Sequence, residues 1–189
     1  RLWAELKNGD RIEGESAIGK AQFPIVRIGC DPPRPPALRS ALEAISKAEM
    51  ILIGPGSLYT SVIPNLLVPE IVEAIERSKA PKLYICNLMT QPGETDGLDV
   101  SGHIKAIEDQ LAGNGMNRKI FNSILAQKEL SPSQLLDYYK SKGAEPVTCN
   151  PNDLISKGYK VYRASLQGKK PTPTLRHDPK SLALAIMRF

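Results

Sequence analysis

The sequence has no dense basic run, no apolar stretch near the ~18 residues of a membrane span, few aromatic residues and few cysteines. Each shortage removes a class of function. Basic residues outnumber acidic ones by 25 to 20, but they are scattered, and aromatics make up 5% of the chain. The concentrated positive face with stacking rings that a nucleic acid needs is therefore missing. Cys30, Cys86 and Cys149 are odd in number and far apart, which excludes a disulfide framework and a zinc spacing and points to a reduced, cytoplasmic setting. Cys86 lies in an apolar run and reads as a small buried hydrophobe. With two histidines far apart, His103 and His177, and no serine elbow, neither Ser-His-Asp nor Cys-His catalysis is supported.

What is present is a chain of 189 residues, 41% hydrophobic and 24% charged, which suits a single folded domain over residues 1–189. Strand-like Leu2 to Lys7 and Arg11 to Glu15 flank Asn8-Gly9, a hairpin signal that calls for positive φ at both turn residues. Ile25 to Cys30 reads as a strand that the Pro-rich segment Asp31 to Pro36 ends. Leu38, Ala41, Leu42 and Ile45 recur at helical spacing. Met50 to Ile53 is a continuous apolar run, the pattern of a strand buried on both faces. Pro69 can open a helix striped by Ile71, Val72 and Ile75, and Lys82 to Cys86 is the next strand.

Farther along, Ser101 is placed to cap a helix with Ile104, Ile107 and Leu111 inside. Lys119 to Leu125, Pro146 to Cys149 and Tyr159 to Ala164 read as strands. Ser131-Pro132-Ser133-Gln134 reads as a capped helix start, with Gly143 to stop that helix, and Asp178-Pro179 starts the last one. The basic stretch Gln167 to Thr174 reads as a linker. Strands alternating with helices imply an α/β fold with a mainly parallel sheet covered on both faces.

Ligands of open α/β sheets bind beyond the carboxyl ends of the strands, and two loops leave such ends. In the first, Gly54 and Gly56 allow backbone to approach an anion, and Ser57, Thr60 and Ser61 add hydroxyls. A tight turn with Ser57 as a helix cap fits the same residues. In the second, Asn87 and Gln91 suit a base or sugar edge, Thr90 and Thr95 suit phosphate, and Glu94 or Asp96 suits a sugar hydroxyl or hydrated Mg²⁺. An exposed loop bonding its own backbone is the alternative. His103, in the first turn of a helix, reads as a surface residue or as a group that orients a phosphate, His177 as helix-entry packing, and Tyr138-Tyr139 as one exposed and one buried ring.

The segments Ile53-Gly54-Pro55-Gly56-Ser57-Leu58-Tyr59-Thr60-Ser61-Val62-Ile63-Pro64-Asn65-Leu66-Leu67-Val68 and Met89-Thr90-Gln91-Pro92-Gly93-Glu94-Thr95-Asp96-Gly97 resemble the two hallmark motifs of the gluconeogenesis-factor branch of CofD-like proteins. Gly14-Glu15-Ser16, Tyr139 to Val147 and Arg176-His177-Asp178-Pro179 extend the resemblance over nearly the whole chain. The resemblance implies a Rossmann-like three-layer fold and a regulator that binds a UDP-sugar such as UDP-N-acetylglucosamine and is needed for cell shape or wall synthesis on gluconeogenic carbon sources. It assigns the ligand to Gly54, Gly56, Ser57, Tyr59, Thr60, Asn87, Thr90, Gln91, Gly93, Glu94 and Thr95. The related branch implies the alternative of a Mg-dependent transferase of the 2-phospho-L-lactate transferase type, acting on a nucleotide-diphosphate donor. The family's Gly-rich phosphate loop has no counterpart here, and Arg1 opens directly into strand-like sequence, so amino-terminal βα units are expected to be absent. The sheet edge this leaves open would pair with another segment or subunit, which keeps a homo-oligomer open.

Overall fold

The structure is a computed structural model that describes residues 1–116, 119–130, 133–167 and 174–189. The amino-terminal hairpin joins β1 (Leu2–Leu6) to β2 (Arg11–Glu13). Gly9 alone takes positive φ, at 91°, while Gly9 N–H donates to Leu6 O and Leu6 N–H to Asp10 O. This is a three-residue loop with a glycine bulge, so Asn8 needs no left-handed conformation. After α1 (Glu15–Ile18), strand β3 (Ile25–Cys30) pairs with the other edge of β1, giving an antiparallel sheet in the order β2-β1-β3.

A second sheet is wholly parallel, with β4 (Ile51–Ile53), β5 (Lys82–Ile85), β6 (Ser123–Gln127) and β7 (Lys160–Ala164) in sequence order. Alternation along these strands feeds two cores. Tyr84, Ile124 and Ala126 face one core, where Ile104, Ile107 and Leu111 of α5 (Val100–Gly113) and Val72 and Ile75 of α4 (Pro69–Arg77) meet them. Leu83, Ile85 and Leu125 face the other, under α6 (Gln134–Ser141) and α8 (Pro179–Ile186). The result is the α/β three-layer arrangement expected of the sequence. The antiparallel sheet contributes Ala4, Leu6 and Ile28 to the first core. Gln110 of α5 fastens it, accepting from Ile28 N–H at 2.9 Å and donating to Val26 O at 3.1 Å.

The remaining helices are α2 (Arg39–Lys47), α3 (Ile63–Leu66) and α7 (Pro151–Ser156). No single helix among the described residues is long and apolar enough to cross a membrane.

Several expectations are corrected. Leu52 is 43% exposed, on β4 at the edge of the sheet, so this strand is not buried on both faces. Asp99, not Ser101, caps α5 by accepting from Gly102 N–H at 2.7 Å, while Ser101 lies inside the helix and donates to Asp153. The strand expected from Lys119 begins at Ser123. Pro146 to Cys149 makes a single bridge, Met89 to Pro146, and then leads into α7, a helix the sequence pattern did not announce. Ser133 caps α6, and Gln134 is already its first residue; Ser131-Pro132 and residues 168–173 lie outside the described residues. His103 is fully buried rather than at the surface.

Candidate functional site

Because β4 and β5 are adjacent and parallel, the loops leaving their carboxyl ends emerge side by side. Gly54 turns the first loop with φ 82°, and a Cβ there would stand 2.9 Å from Ile85 O, so glycine is required by the approach of the chain to β5. A Cβ on Gly56 would meet Ser61 Cβ at 3.2 Å, a tighter but yielding contact. From Ser57 the chain enters a π-helical turn, Leu58–Val62, in which Ser57 O accepts from both Ser61 and Val62 N–H. Single π turns recur at functional sites, where they displace one side chain from the helical register. Leu58, Tyr59 and Val62 enter the core, leaving Ser57, Thr60 and Ser61 on the other side. Burial pushes the Tyr59 phenol up, helped by the Asp109 and Glu94 carboxylates.

The second loop reaches back to the first through side chains. Asn87 Nδ2 donates to Gly56 O at 2.9 Å, and Ser57 Oγ donates to Gln91 Oε1 at 2.9 Å. Gln91 Nε2 then donates to Glu94 Oε1 at 2.6 Å, and Thr60 Oγ1 reaches the same oxygen at 3.4 Å. Four of the residues expected to meet a ligand thus form one chain across the two loops. The two threonines also hold backbone: Thr95 Oγ1 accepts from Gln91 N–H, and Thr90 Oγ1 accepts from Glu145 N–H, each at 2.8 Å. Asp96 closes the turn by accepting from Gly93 N–H at 2.7 Å. Gly93 has φ 85°, and a Cβ on it would come within 2.3 Å of Ala21 O. The connection after α1 is therefore a third wall of the site, and a Cβ on Gly19 would lie 3.6 Å from Glu94 Oε1. Sequence reasoning assigned no role to this wall; its one signal was the Gly14-Glu15-Ser16 motif.

Glu94 stands apart from its neighbours. It is 5% exposed, and its second oxygen, Oε2, is buried without a hydrogen-bond partner among the described residues. Burial raises its pKa; the Tyr59 N–H and Thr60 hydroxyl oppose that rise, and Glu15 adds to it. Of the two candidates for holding Mg²⁺, Glu94 has Oε2 without a hydrogen-bond partner among the described residues, and Asp96 has one oxygen, Oδ2, engaged by its own turn. No group of three or more acidic, His or Cys side chains able to hold a metal occurs among the described residues. One carboxylate is still enough for Mg²⁺ that is bound chiefly through ligand phosphates.

The histidines lie elsewhere. His103 Nδ1 contacts Asp99 O at 2.9 Å, its Nε2 is buried without a partner among the described residues, and burial lowers its pKa. His177 Nε2 donates to Cys86 O at 3.2 Å, one residue before Asn87, so the entry to α8 is pinned to the root of the second loop. Cys86 is fully buried and its thiol is pushed up to about 12, mainly by burial, so it has no thiolate to offer as a nucleophile.

Residues 1–167 match the family described as 2-phospho-L-lactate transferase CofD. The chain is 46% identical over 189 residues to a putative gluconeogenesis factor of Nostoc sp., covering 100% of this chain and 41% of that protein. It is 47% identical over 186 residues to the gluconeogenesis factor of Halalkalibacterium halodurans, covering 98% of this chain and 56% of that one. A crystal structure of a UPF0052 family member from Bacillus halodurans superposes with a TM-score of 0.88 at 41% identity, over 98% of this chain and 57% of that chain. The chain thus spans about half the length of the relatives it matches.

Proposed function

The chain belongs to the CofD family, in its gluconeogenesis-factor branch, and from that premise we propose that its paired loops bind a nucleotide-linked sugar, such as UDP-N-acetylglucosamine, in a regulator of gluconeogenic growth and cell shape. The observation that carries this reading is Glu94 Oε2, a buried oxygen without a hydrogen-bond partner among the described residues. An unsatisfied buried polar group costs about 1–3 kcal/mol, more when charged, and a ligand hydroxyl or amide N–H offsets that cost. The same carboxylate repels phosphate. A nucleotide sugar therefore lies with a sugar or base donor toward Glu94 and its diphosphate toward the Gly54-Ser57 turn, at the carboxyl end of β4. Ser57 is held by Gln91, Gln91 and Thr60 by Glu94, and Asn87 by Gly56 O, so they present fixed rather than mobile groups, which lowers the ordering cost of binding.

Thermal denaturation with UDP-N-acetylglucosamine, UDP and inorganic phosphate tests the reading. Selective stabilisation by the nucleotide sugar is the expected result, about 2.7 kcal/mol at a hundredfold excess over Kd. No stabilisation by any nucleotide sugar overturns it.

A second reading, transfer of a phosphate-linked group from a nucleotide-diphosphate donor with Mg²⁺, is favoured by the description of the matching family and by the free oxygen of Glu94. Glu94 would hold the Mg²⁺, which would supply positive charge to offset the negative charge of the donor's phosphates. Incubation with such a donor and an alcohol acceptor distinguishes the readings: attack of the acceptor hydroxyl on the phosphate distal to the nucleoside breaks the diphosphate bridge and releases the nucleoside monophosphate, and binding alone does not.

A further inference from the structure

We propose that the cleft beyond the carboxyl ends of β6 and β7 is a second ligand site, one that takes a small organic anion with an apolar body. Its volume is about 500 Å³, within the ~300–1,000 Å³ of small-molecule sites. It lies at the same end of the parallel sheet as the paired loops but two strands away from β4. The segment Glu145 to Cys149 separates the two, bound to the second loop through Thr90 N–H to Glu145 O and Val147 N–H to Leu88 O.

The chemistry of the cleft selects its ligand. Leu136 and Val147, both buried, give it an apolar floor. Gln127, the last residue of β6, is 6% exposed and lines the cleft. Its Oε1 accepts from Leu166 N–H at 2.6 Å and Gln167 N–H at 3.2 Å, which fixes the amide plane. Among the described residues its Nε2 reaches only Glu129 O, at 3.5 Å, so one N–H of this buried side chain has no acceptor among them. Around it stand Lys128, Lys140 and Arg163, none of which is ion-paired among the described residues. These three cations exceed the two carboxylates of the rim, Glu129 and Asp137, by one charge. A buried amide donor under an excess of cations suits a carboxylate or phosphate, and the floor suits a hydrocarbon body; a bare ion leaves that floor wet.

Cys149 lines the same cleft and is half-buried, so its thiol reports occupancy, with half-buried Cys30 on the distant β3 as internal control. The test is the rate of N-ethylmaleimide labelling at each cysteine, read by peptide mass, with benzoate, phenyl phosphate or inorganic phosphate present. At about twice Kd the unliganded fraction falls to about one third, so Cys149 labelling slows about threefold while Cys30 is unchanged. Benzoate and phenyl phosphate distinguish carboxylate from phosphate preference, and inorganic phosphate is expected to protect less than either. The exposed changes Arg163→Gln and Lys140→Gln leave the floor intact and should abolish protection. Protection that survives both changes, protection that appears equally at Cys30, or no protection by any of the three anions overturns the proposal.

Discussion

Ser57 Oγ donates to Gln91 Oε1 at 2.9 Å, joining side chains 34 positions apart in the chain. Gln91 passes the link on to Glu94, so a change at Gln91 uncouples both loops at once. Gln91→Ala should cost about 1–3 kcal/mol of stability, because it strands the Ser57 hydroxyl and removes a donor from a buried carboxylate. Urea denaturation of the two proteins checks this; an unchanged midpoint would show that the link is idle.

Glu94→Gln separates charge from shape. In the native protein burial raises the Glu94 pKa above its unfolded value, so folding favours the protonated form. That contribution is fully present below the unfolded pKa and fades as pH rises through the folded one. Stability of the native protein should therefore fall across the window just above the ordinary carboxylate range, and the variant should lose that slope. Nucleotide-sugar affinity should drop about tenfold, or ~1.4 kcal/mol. Denaturation against pH reads the first effect and calorimetric titration the second.

Gly93 and Gly97 offer a matched comparison on one turn. Both have positive φ, 85° and 69°, but a Cβ at Gly93 would strike Ala21 O, whereas one at Gly97 meets nothing within 4 Å. Gly97→Ala should cost about 1 kcal/mol from backbone conformation alone. Gly93→Ala adds displacement of the third wall and should cost at least about twice as much. Equal denaturation midpoints would deny the wall its role.

Gly56 tests the approach of backbone to phosphate. The tightest contact of Gly56→Ala is with Ser61 Cβ, at 3.2 Å, and Gly56 does not have positive φ. The change should cost under about 1 kcal/mol of stability while weakening nucleotide-sugar binding about tenfold. Gly56→Val, with its branch toward Ser61, should weaken both. Parallel losses in stability and binding for Gly56→Ala would mean that the glycine serves the turn alone.

Local chemistry makes part of this fold legible in the amino-acid sequence. Turn and cap residues act within a few positions of themselves, so Asn8-Gly9, Pro69 and Asp178-Pro179 mark the hairpin and the starts of α4 and α8. Apolar periodicity likewise marks the inner faces of α4 and α5, and strand-helix alternation the three-layer fold. Even the candidate loops follow from strand order, since loops leaving successive parallel strands share an end of the sheet.

Other features have no local cause to read. Leu52 carries the same apolar signal as Ile51 and Ile53, and only its place on an edge strand leaves it exposed. Ser101 and Asp99 are equally good caps in sequence; the site went to Asp99, while Ser101 found Asp153, 52 residues on. His103 is as polar as any surface residue, yet it is buried in the helix face that packs on the sheet. The pairing of Ser57 with Gln91 and Thr60 with Glu94 depends on two strands lying side by side, as does the burial of Glu94 Oε2. Residue types and spacing determined which groups stand near the carboxyl end of the sheet. Tertiary packing decided which of them satisfy one another and which is left without a partner among the described residues, because hydrogen-bond partners and solvent access are set by contacts between distant segments, which no local pattern encodes.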